Sequence, residues 1–291
     1  MANFVLLGAA GYIAPRHMEA IQFHKHNLIA AMDPSDSVGI LDSYAPQCRF
    51  FTETADLDSF LKDQKVDYVS ICSPNYLHFD QITWALKRGA HAICEKPLVL
   101  TAAQVDQLTA LEKDTGKKVF TVLQLRVHEA IKKLKAQVEK EKLDHYSVDL
   151  TYLTSRGPWY LESWKGDIEK SGGLSTNIGI HFFDMLTWIF GGMKSVKMSE
   201  KTKTLEAGVL ELERATVKWM LSIDRTRLPE AVVASGKTTY RSITINNFEF
   251  EFSEGFTELH RIVYDDILNG RGYGVTDARA AIAIAEQIRK S

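Results

Sequence analysis

Moving a proton at neutral pH needs a base near its working pKa, and two places in this sequence offer one. The first is Glu95-Lys96-Pro97, directly after an apolar run. The proline drives Lys96 toward extended backbone and fixes the chain beyond it. There the amine is either a solvated surface charge or, with its ordinary pKa of about 10.4 brought down by burial or a neighbouring cation, a base or proton relay. The second is Gly172-Gly173-Leu174-x-x-Asn177-x-x-x-His181-x-x-Asp184. Steps of four and three place Asn177, His181 and Asp184 on one helical face, with Phe182, Met185, Leu186 and Ile189 covering the other sides. His181, ordinarily at about 6.5, can accept a proton unaided. The alternative is a histidine simply satisfied by the aspartate one turn on.

A second chemistry is recognition of phosphate and ribose. Gly8-Ala9-Ala10-Gly11-Tyr12-Ile13-Ala14 follows the first apolar run and opens a helical stretch. Gly8 permits a tight turn, Gly11 lets backbone approach a pyrophosphate, and Ala14 lets helix and strand pack closely. The helix N-terminus adds N–H groups and partial positive charge. The middle glycine of the usual fingerprint is displaced, so the turn alone also reads as an ordinary glycine-rich loop. Asp33 ends the second apolar run, where a carboxylate accepts from ribose hydroxyls or caps the next turn. Pro34-Ser35-Asp36 brings no cation for a 2′-phosphate, which favours NAD over NADP. Ser73-Pro74-Asn75 with His78, and Gln124, close two further runs. The strand ends of an open α/β sheet are where ligands bind, although Ser73 and Asn75 read equally as turn formers and His78 as a first-turn helix residue.

These groups need a frame. Apolar runs at 4–7, 28–32, 66–72, 90–94 and 119–123 alternate with helix-like spacing at 16–26, 54–64, 78–88 and 101–115. Runs without polar alternation predict strands buried on both faces, hence an α/β doubly wound parallel sheet of Rossmann type over residues 1–123. Beyond it, residues 129–142 read as a charged amphipathic helix. Period-two alternation follows at Tyr146–Val148–Leu150–Tyr152, Val217–Trp219–Leu221–Ile223 and Phe248–Phe250–Phe252. This predicts an α+β domain over 124–291 with an open, largely antiparallel sheet, a helix at 174–190 and a final helix at 277–290.

A length of 291 residues fits two domains. Against 37 acidic side chains stand 35 basic ones, a formal charge of −2 with the nine histidines neutral, so no nucleic-acid partner is expected. Cys48, Cys72 and Cys94 are odd in number and form no CxxC, which reads as reduced thiols in a cytoplasmic protein. No metal site is expected: the His181 segment lacks a third strong ligand, and His128-Glu129 fails the zincin pattern because position 132 is Lys132. The run 4–14 is too short to span a bilayer and is broken by Gly8 and Gly11, so it reads as structure and no membrane association is expected.

The glycine turn, Asp33, Pro74-Asn75-x-x-His78, Glu95-Lys96-Pro97 and the Asn177-His181-Asp184 helix, in this order and spacing, resemble the Gfo/Idh/MocA family of nicotinamide-dependent oxidoreductases over essentially the whole chain. The resemblance implies NAD held by Gly8, Gly11, Tyr12, Ile13, Asp33, Pro34, Ser73, Pro74, Asn75, His78, Glu95, Lys96 and Gln124. It implies Lys96 as base or relay, His181 orienting the hydroxyl over the same nicotinamide, and a homotetramer. Arg156-Gly157-Pro158-Trp159-Tyr160, Ser163-Trp164-Lys165-Gly166, Ser171-Gly172-Gly173, Thr176-Asn177-Ile178-Gly179 and Gly255-Phe256-Thr257-Glu258-Leu259-His260 narrow it. They resemble the branch that oxidises C3 of UDP-N-acetyl-glucosaminuronic acid in bacterial surface-polysaccharide (O-antigen) synthesis. This implies a nucleotide sugar bound by Lys96, Arg156, Trp159, Tyr160, Trp164, Lys165, Thr176, Asn177 and His181, with 2-oxoglutarate reoxidising NADH. Cations and aromatic faces suit a diphosphate, a uronate and a base. Many family members carry aspartate where this chain has Asn177, which cannot accept a proton. Two rivals stay open: a sibling dehydrogenase acting on a free sugar or polyol such as inositol, and a non-catalytic NAD-binding regulator, which the presence of both Lys96 and His181 disfavours.

Overall fold

A computed structural model describes residues 1–141, 143–252 and 256–291. Lys142, at the end of the expected helix 129–142, and Gly255 of the 255–260 motif lie outside the described residues. No helix among the described residues is long and apolar enough to cross a membrane.

The first compact unit comprises Met1–Val99, Ala103–Gln124 and Thr257–Ala278. Its sheet is wholly parallel, with strands β1 (Asn3–Leu7), β2 (Asn27–Met32), β3 (Arg49–Phe51), β4 (Tyr68–Ile71), β5 (His91–Cys94) and β6 (Val119–Thr121) in the order 3-2-1-4-5-6. Phe4, Val5, Leu6 and Leu7 are all buried. At about 1.5–3 kcal/mol for each large apolar side chain buried, that strand is a fixed support for the turn it feeds. Strand order reverses between β1 and β4, which run in register from Phe4 opposite Tyr68 to Leu7 opposite Ile71. This is the switch point at whose carboxyl side a ligand crevice forms. The edge strand β3 has no counterpart among the apolar runs, since three residues beginning with an arginine carry too little pattern to read.

The second unit comprises Leu100–Ala102, Leu125–Phe256 and Arg279–Ser291. Its mixed sheet has β7 (Tyr146–Thr154), β8 (Met193–Lys201), β9 (Leu205–Leu212), β10 (Ala215–Ser222), β11 (Thr239–Ile245) and β12 (Phe248–Glu249) in the order 12-11-7-10-9-8. Every pairing is antiparallel except β7 with β10. The final helix, Arg279–Lys290, packs on Ile180–Phe190 and β8.

Three expectations need correction. Residues 257–278 belong to the first unit and not to a second domain of 124–291, because the helix Leu259–Leu268 buries Leu259, Val263, Tyr264 and Ile267 there and packs on the helix Ala14–Phe23. The alternation at 248–252 is a strand only at Phe248–Glu249. Phe252 leaves the ladder to bury beside Phe250 and under the Arg241 guanidinium. The helix expected over 174–190 begins as a π-helical turn, Ser175–Gly179, and turns α-helical over Ile180–Phe190.

Candidate active site

In the first unit the site grows from strand ends. Gly8 leaves β1 at φ +84°, and its amide donates to the Met32 carbonyl at 2.8 Å. A side chain there meets the backbone of Cys72 and Ser73 after β4, so the glycine sets how closely the two central strand ends approach. The next helix, Ala14–Phe23, has Pro15 in its first turn and no acidic residue there. The amides of Tyr12 and Ile13 at its mouth have no protein acceptor, and the Tyr12 side chain is almost wholly exposed. Unpaired N–H groups at a helix N-terminus beside a glycine turn fit an anion such as a pyrophosphate.

Asp33, half-buried at the end of β2, does cap its turn: Oδ1 accepts from the Ser35 amide at 2.9 Å. Its Oδ2 also accepts from Ala10 at 3.0 Å, tying the acid to the glycine turn. A carboxylate has about four lone-pair sites, so acceptor capacity remains for ribose hydroxyls. Pro34 is exposed beside it. The residues present therefore fit a dinucleotide.

Beyond β4, Ser73 donates to the side chain of Gln81, and Asn75 is buried at the start of a short 3-10 turn. His78 opens the helix His78–Lys87 and is 1% exposed. Its Nδ1 meets the Pro97 carbonyl at 2.7 Å and its Nε2 the Ser73 carbonyl at 2.9 Å. Both ring nitrogens are thus occupied by protein, so any part His78 has in holding a cofactor is indirect. Carbonyls only accept, so two full hydrogen bonds need the doubly protonated ring. Burial pushes the His78 pKa down, against the raising effect of the carbonyls and Glu95.

Glu95 ends β5, buried, and does not face solvent as a loop acid would. Its Oε1 accepts from His17 Nε2 at 3.0 Å and from His260 Nε2 at 2.8 Å, and its Oε2 from the Lys96 amide at 3.2 Å. Burial raises its pKa, but the imidazole donors outweigh that and hold the carboxyl well below the usual range. Lys96 is half-buried between Glu95 and a buried Pro97, to which it is joined by a cis peptide. Gln124 is half-buried at the head of a short helix after β6. His17, Glu95 and His260 are also the group of described residues whose ligand-type atoms cluster, all within 4.8 Å. Sequence reading missed His17, which sits in no motif, and gave His260 no role although it closes the 255–260 motif, because nothing in the sequence ties either one to Glu95.

In the second unit, the residues over 174–190 that are not buried are Asn177, His181 and Trp188. The π-helical turn shifts the register, as such turns often do at functional sites. The Asn177 amide donates to the Tyr160 hydroxyl at 2.9 Å. Burial pushes that phenol up to about 12, so it is neutral. Asp184 is buried and takes a two-point grip from Arg126, at 3.0 Å from Nε and 2.7 Å from Nη2. Thr176, expected at the substrate, is buried with its hydroxyl donated to the Gly172 carbonyl. Glu206, which no motif marked, is buried beneath the turn and accepts from the Ser175 amide and hydroxyl.

Arg156 and Trp159 are exposed and Tyr160 is buried. The Lys165 ammonium lies 4.3 Å from the Trp164 ring centroid and 5.8 Å from that of Trp159. Burial, with the nearby Arg156 charge, pulls the Lys165 pKa down. Two neighbouring cations, one of them set against indole faces, suit an anionic ligand.

Residues 2–123 match the family model for the oxidoreductase family's NAD-binding Rossmann fold, and residues 135–210 match that for its C-terminal alpha/beta domain. Among curated proteins, the uncharacterized oxidoreductase YrbE of Bacillus subtilis is 30% identical over 62% of this chain and 52% of its own length. Myo-inositol 2-dehydrogenase of Thermotoga maritima is 33% identical over 47% of this chain and 40% of its own. The chain spans about half the length of the curated relatives it matches. Among solved structures, the WlbA (WbpB) dehydrogenase of Thermus thermophilus in complex with NAD and UDP-GlcNAcA is 49% identical, covering 99% of this chain and 95% of that one, with a TM-score of 0.95. The same dehydrogenase in complex with NAD and alpha-ketoglutarate gives 50% identity and a TM-score of 0.96 over the same shares. With strand-end residues that fit a dinucleotide, both family models matched and half of its residues shared with a solved member, the chain belongs to the Gfo/Idh/MocA family of NAD-dependent oxidoreductases.

Proposed function

We propose that the protein oxidises the C3 hydroxyl of UDP-N-acetyl-glucosaminuronic acid to the 3-keto sugar with NAD. The observation that carries the reading is the 49% identity, over nearly the full chain, to a dehydrogenase crystallised with NAD and UDP-GlcNAcA. NAD, when bound, supplies the acceptor for the hydride that leaves C3. Tyr12 and Ile13 amides take the pyrophosphate, and Asp33 takes the ribose hydroxyls.

As the hydride departs, the hydroxyl proton must leave as well. Lys96, as the neutral amine, accepts it, and His181 orients the hydroxyl by a hydrogen bond. Asn177 cannot take a proton and gives its amide to a neutral Tyr160, so Lys96 carries the transfer where other members use an aspartate–histidine relay. Arg156 and Lys165 hold the diphosphate and the uronate, with Trp159 and Trp164 as apolar walls. The products are keto sugar, NADH and one proton.

For turnover, 2-oxoglutarate would take the hydride at its keto carbon and a proton at its keto oxygen and leave as the 2-hydroxy acid, a role suggested by the Thermus complex with alpha-ketoglutarate. The setting is O-antigen sugar synthesis in the cytoplasm, by a homotetramer.

A free polyol is the second reading, favoured by the 33% identity to myo-inositol 2-dehydrogenase over 47% of the chain. The purified protein with NAD, given the UDP-uronate, UDP-N-acetylglucosamine, the free uronate or myo-inositol, separates them by NADH absorbance. Turnover is expected with the first alone. Equal rates with inositol or the free sugar overturn the UDP reading, and equal rates without the carboxylate overturn the Arg156–Lys165 clamp.

A further inference from the structure

Three buried histidines that the proposed reaction does not use converge on the tripeptide carrying Lys96. His17 comes from the helix after the glycine turn, His78 from the helix after β4, and His260 from the helix Leu259–Leu268. They are 0%, 1% and 5% exposed. His17 and His260 hold Glu95, on one side of Lys96, through one oxygen, while His78 holds the carbonyl of Pro97, on the other.

The donors and acceptors run in one direction. Ser70 Oγ lies 2.7 Å from the Tyr264 hydroxyl, which lies 2.7 Å from His17 Nδ1. Burial pushes Tyr264 far up and His17 down, so the phenol keeps its proton and the imidazole is neutral. The serine then donates to the tyrosine, the tyrosine to Nδ1, and Nε2–H to the Glu95 carboxylate, with every group satisfied. Glu95 completes the chain by accepting the Lys96 amide. A buried carboxylate that loses a donor must find another, which draws the strand end carrying Lys96 out of place.

We infer that His17, His78 and His260, with Tyr264 behind His17, are positioning residues that clamp residues 95–97 and so set where the Lys96 amine stands. The inference rests on the reading of Lys96 as the proton acceptor. None of the three histidines touches the reacting atoms; each acts through Glu95 or Pro97. A lysine displaced by an ångström is a poor base for a fixed hydroxyl, so the clamp acts on kcat.

The test begins with the unaltered protein, NAD and the UDP-uronate. Absence of any NADH there counts against the proposed reaction and leaves the clamp to be read spectroscopically. With turnover established, His260→Leu is expected to lower kcat about tenfold or more while KM for NAD moves less than about threefold. The basic limb of the pH profile shifts, and His260→Gln, whose amide can still donate to Glu95, recovers most of the loss. A folded His260→Leu with unchanged kcat and limb, or equal losses in Leu and Gln, overturns the inference. Should the variants not fold, histidine nitrogen-15 spectra of the unaltered protein decide. His17 is expected as the Nε2–H tautomer at neutral pH, its Nδ1 unprotonated and accepting from Tyr264. A His17 ring that titrates like a surface imidazole, or a stoichiometric metal ion whose removal changes its spectrum, overturns it.

Discussion

A methyl group at position 8 has no room. Gly8 sits at φ +84°, and an added Cβ lies 2.5 Å from the Ser73 nitrogen and 2.6 Å from the Cys72 carbonyl carbon. Left-handed backbone costs a non-glycine residue about 1–2 kcal/mol, and the obstruction is backbone of the neighbouring strand end, which cannot rotate away. Gly8→Ala is therefore expected to destabilise by about 2–4 kcal/mol in urea unfolding and to weaken NAD binding in a fluorescence titration. Unchanged NAD affinity would remove the glycine turn from the site. The buried ionisable groups of the first unit give a second residue-level expectation. Burial lowers His17 below its ordinary 6.5, so the unfolded chain takes up a proton there that the folded ring refuses. Glu95, raised by burial but lowered further by its imidazole donors, has a folded pKa well below 4.5, so its contribution is full above 4.5 and is lost as pH falls toward the folded value. Both signs agree: stability falls on acidification, beginning below pH 6.5 and steepening below 4.5. Urea midpoints against pH should show this, and His17→Gln should flatten part of the upper limb, to which buried His78 also contributes; a midpoint that rises as pH drops below 6.5 would contradict the neutral His17.

At the level of elements, legibility followed the strength of the local pattern. The five apolar runs of the first unit are strands β1, β2, β4, β5 and β6, because a sheet covered on both faces leaves a continuous hydrophobic signature. The three-residue β3 and the abbreviated β12 carry too few residues for any period to register. The polar stripe at 177, 181 and 184 was visible as spacing, but the π-helical turn was not, since nothing local distinguishes a five-residue step from a four-residue one. That turn leaves Asn177 with Tyr160, while Asp184 goes to Arg126, fifty-eight positions away in sequence. Glycine-turn and strand-end residues were readable because each follows its own apolar run; Glu206, His17 and His260 were not, because only the tertiary fold assembles them. The Arg126–Asp184 pair fastens the helix Ile180–Phe190, which carries His181, and both side chains are nearly sealed from solvent. Removing one partner of such a pair leaves a buried charge uncompensated, at about 3–5 kcal/mol. Arg126→Met should cost that much in urea unfolding, and adding Asp184→Leu should recover part of it in a double-mutant cycle. A single-variant loss of about 1 kcal/mol or less, as for an exposed pair, would show that the bridge is not what holds the helix.

Across the whole molecule, the first unit is discontinuous in sequence: the chain leaves it after Gln124 and returns at Thr257. The returning segment is not an appendage. Its helix Leu259–Leu268 lies on the helix Ala14–Phe23, its Tyr264 ring packs by Phe4 at 6.1 Å, and its His260 supplies one of the two imidazole donors to Glu95. Beyond that helix, Gly274 pairs with Phe120 at the edge of the sheet. A fragment ending at residue 124 keeps all six strands and every glycine-turn residue, yet it exposes the face that Leu259, Val263 and Ile267 cover and leaves Glu95 one donor short. Three large apolar side chains, at about 1.5–3 kcal/mol each, together with an under-paired buried carboxylate, are comparable to the whole stability of a small domain. Fragment 1–124 is therefore expected to show no cooperative urea transition and no NAD binding. Joining residues 257–278 to it through a flexible Gly/Ser linker should restore both. A fragment 1–124 that unfolds cooperatively and binds NAD as tightly as the joined form would mean that the nucleotide end is complete within the first 124 residues, and that the return of the chain serves some other purpose than finishing that core.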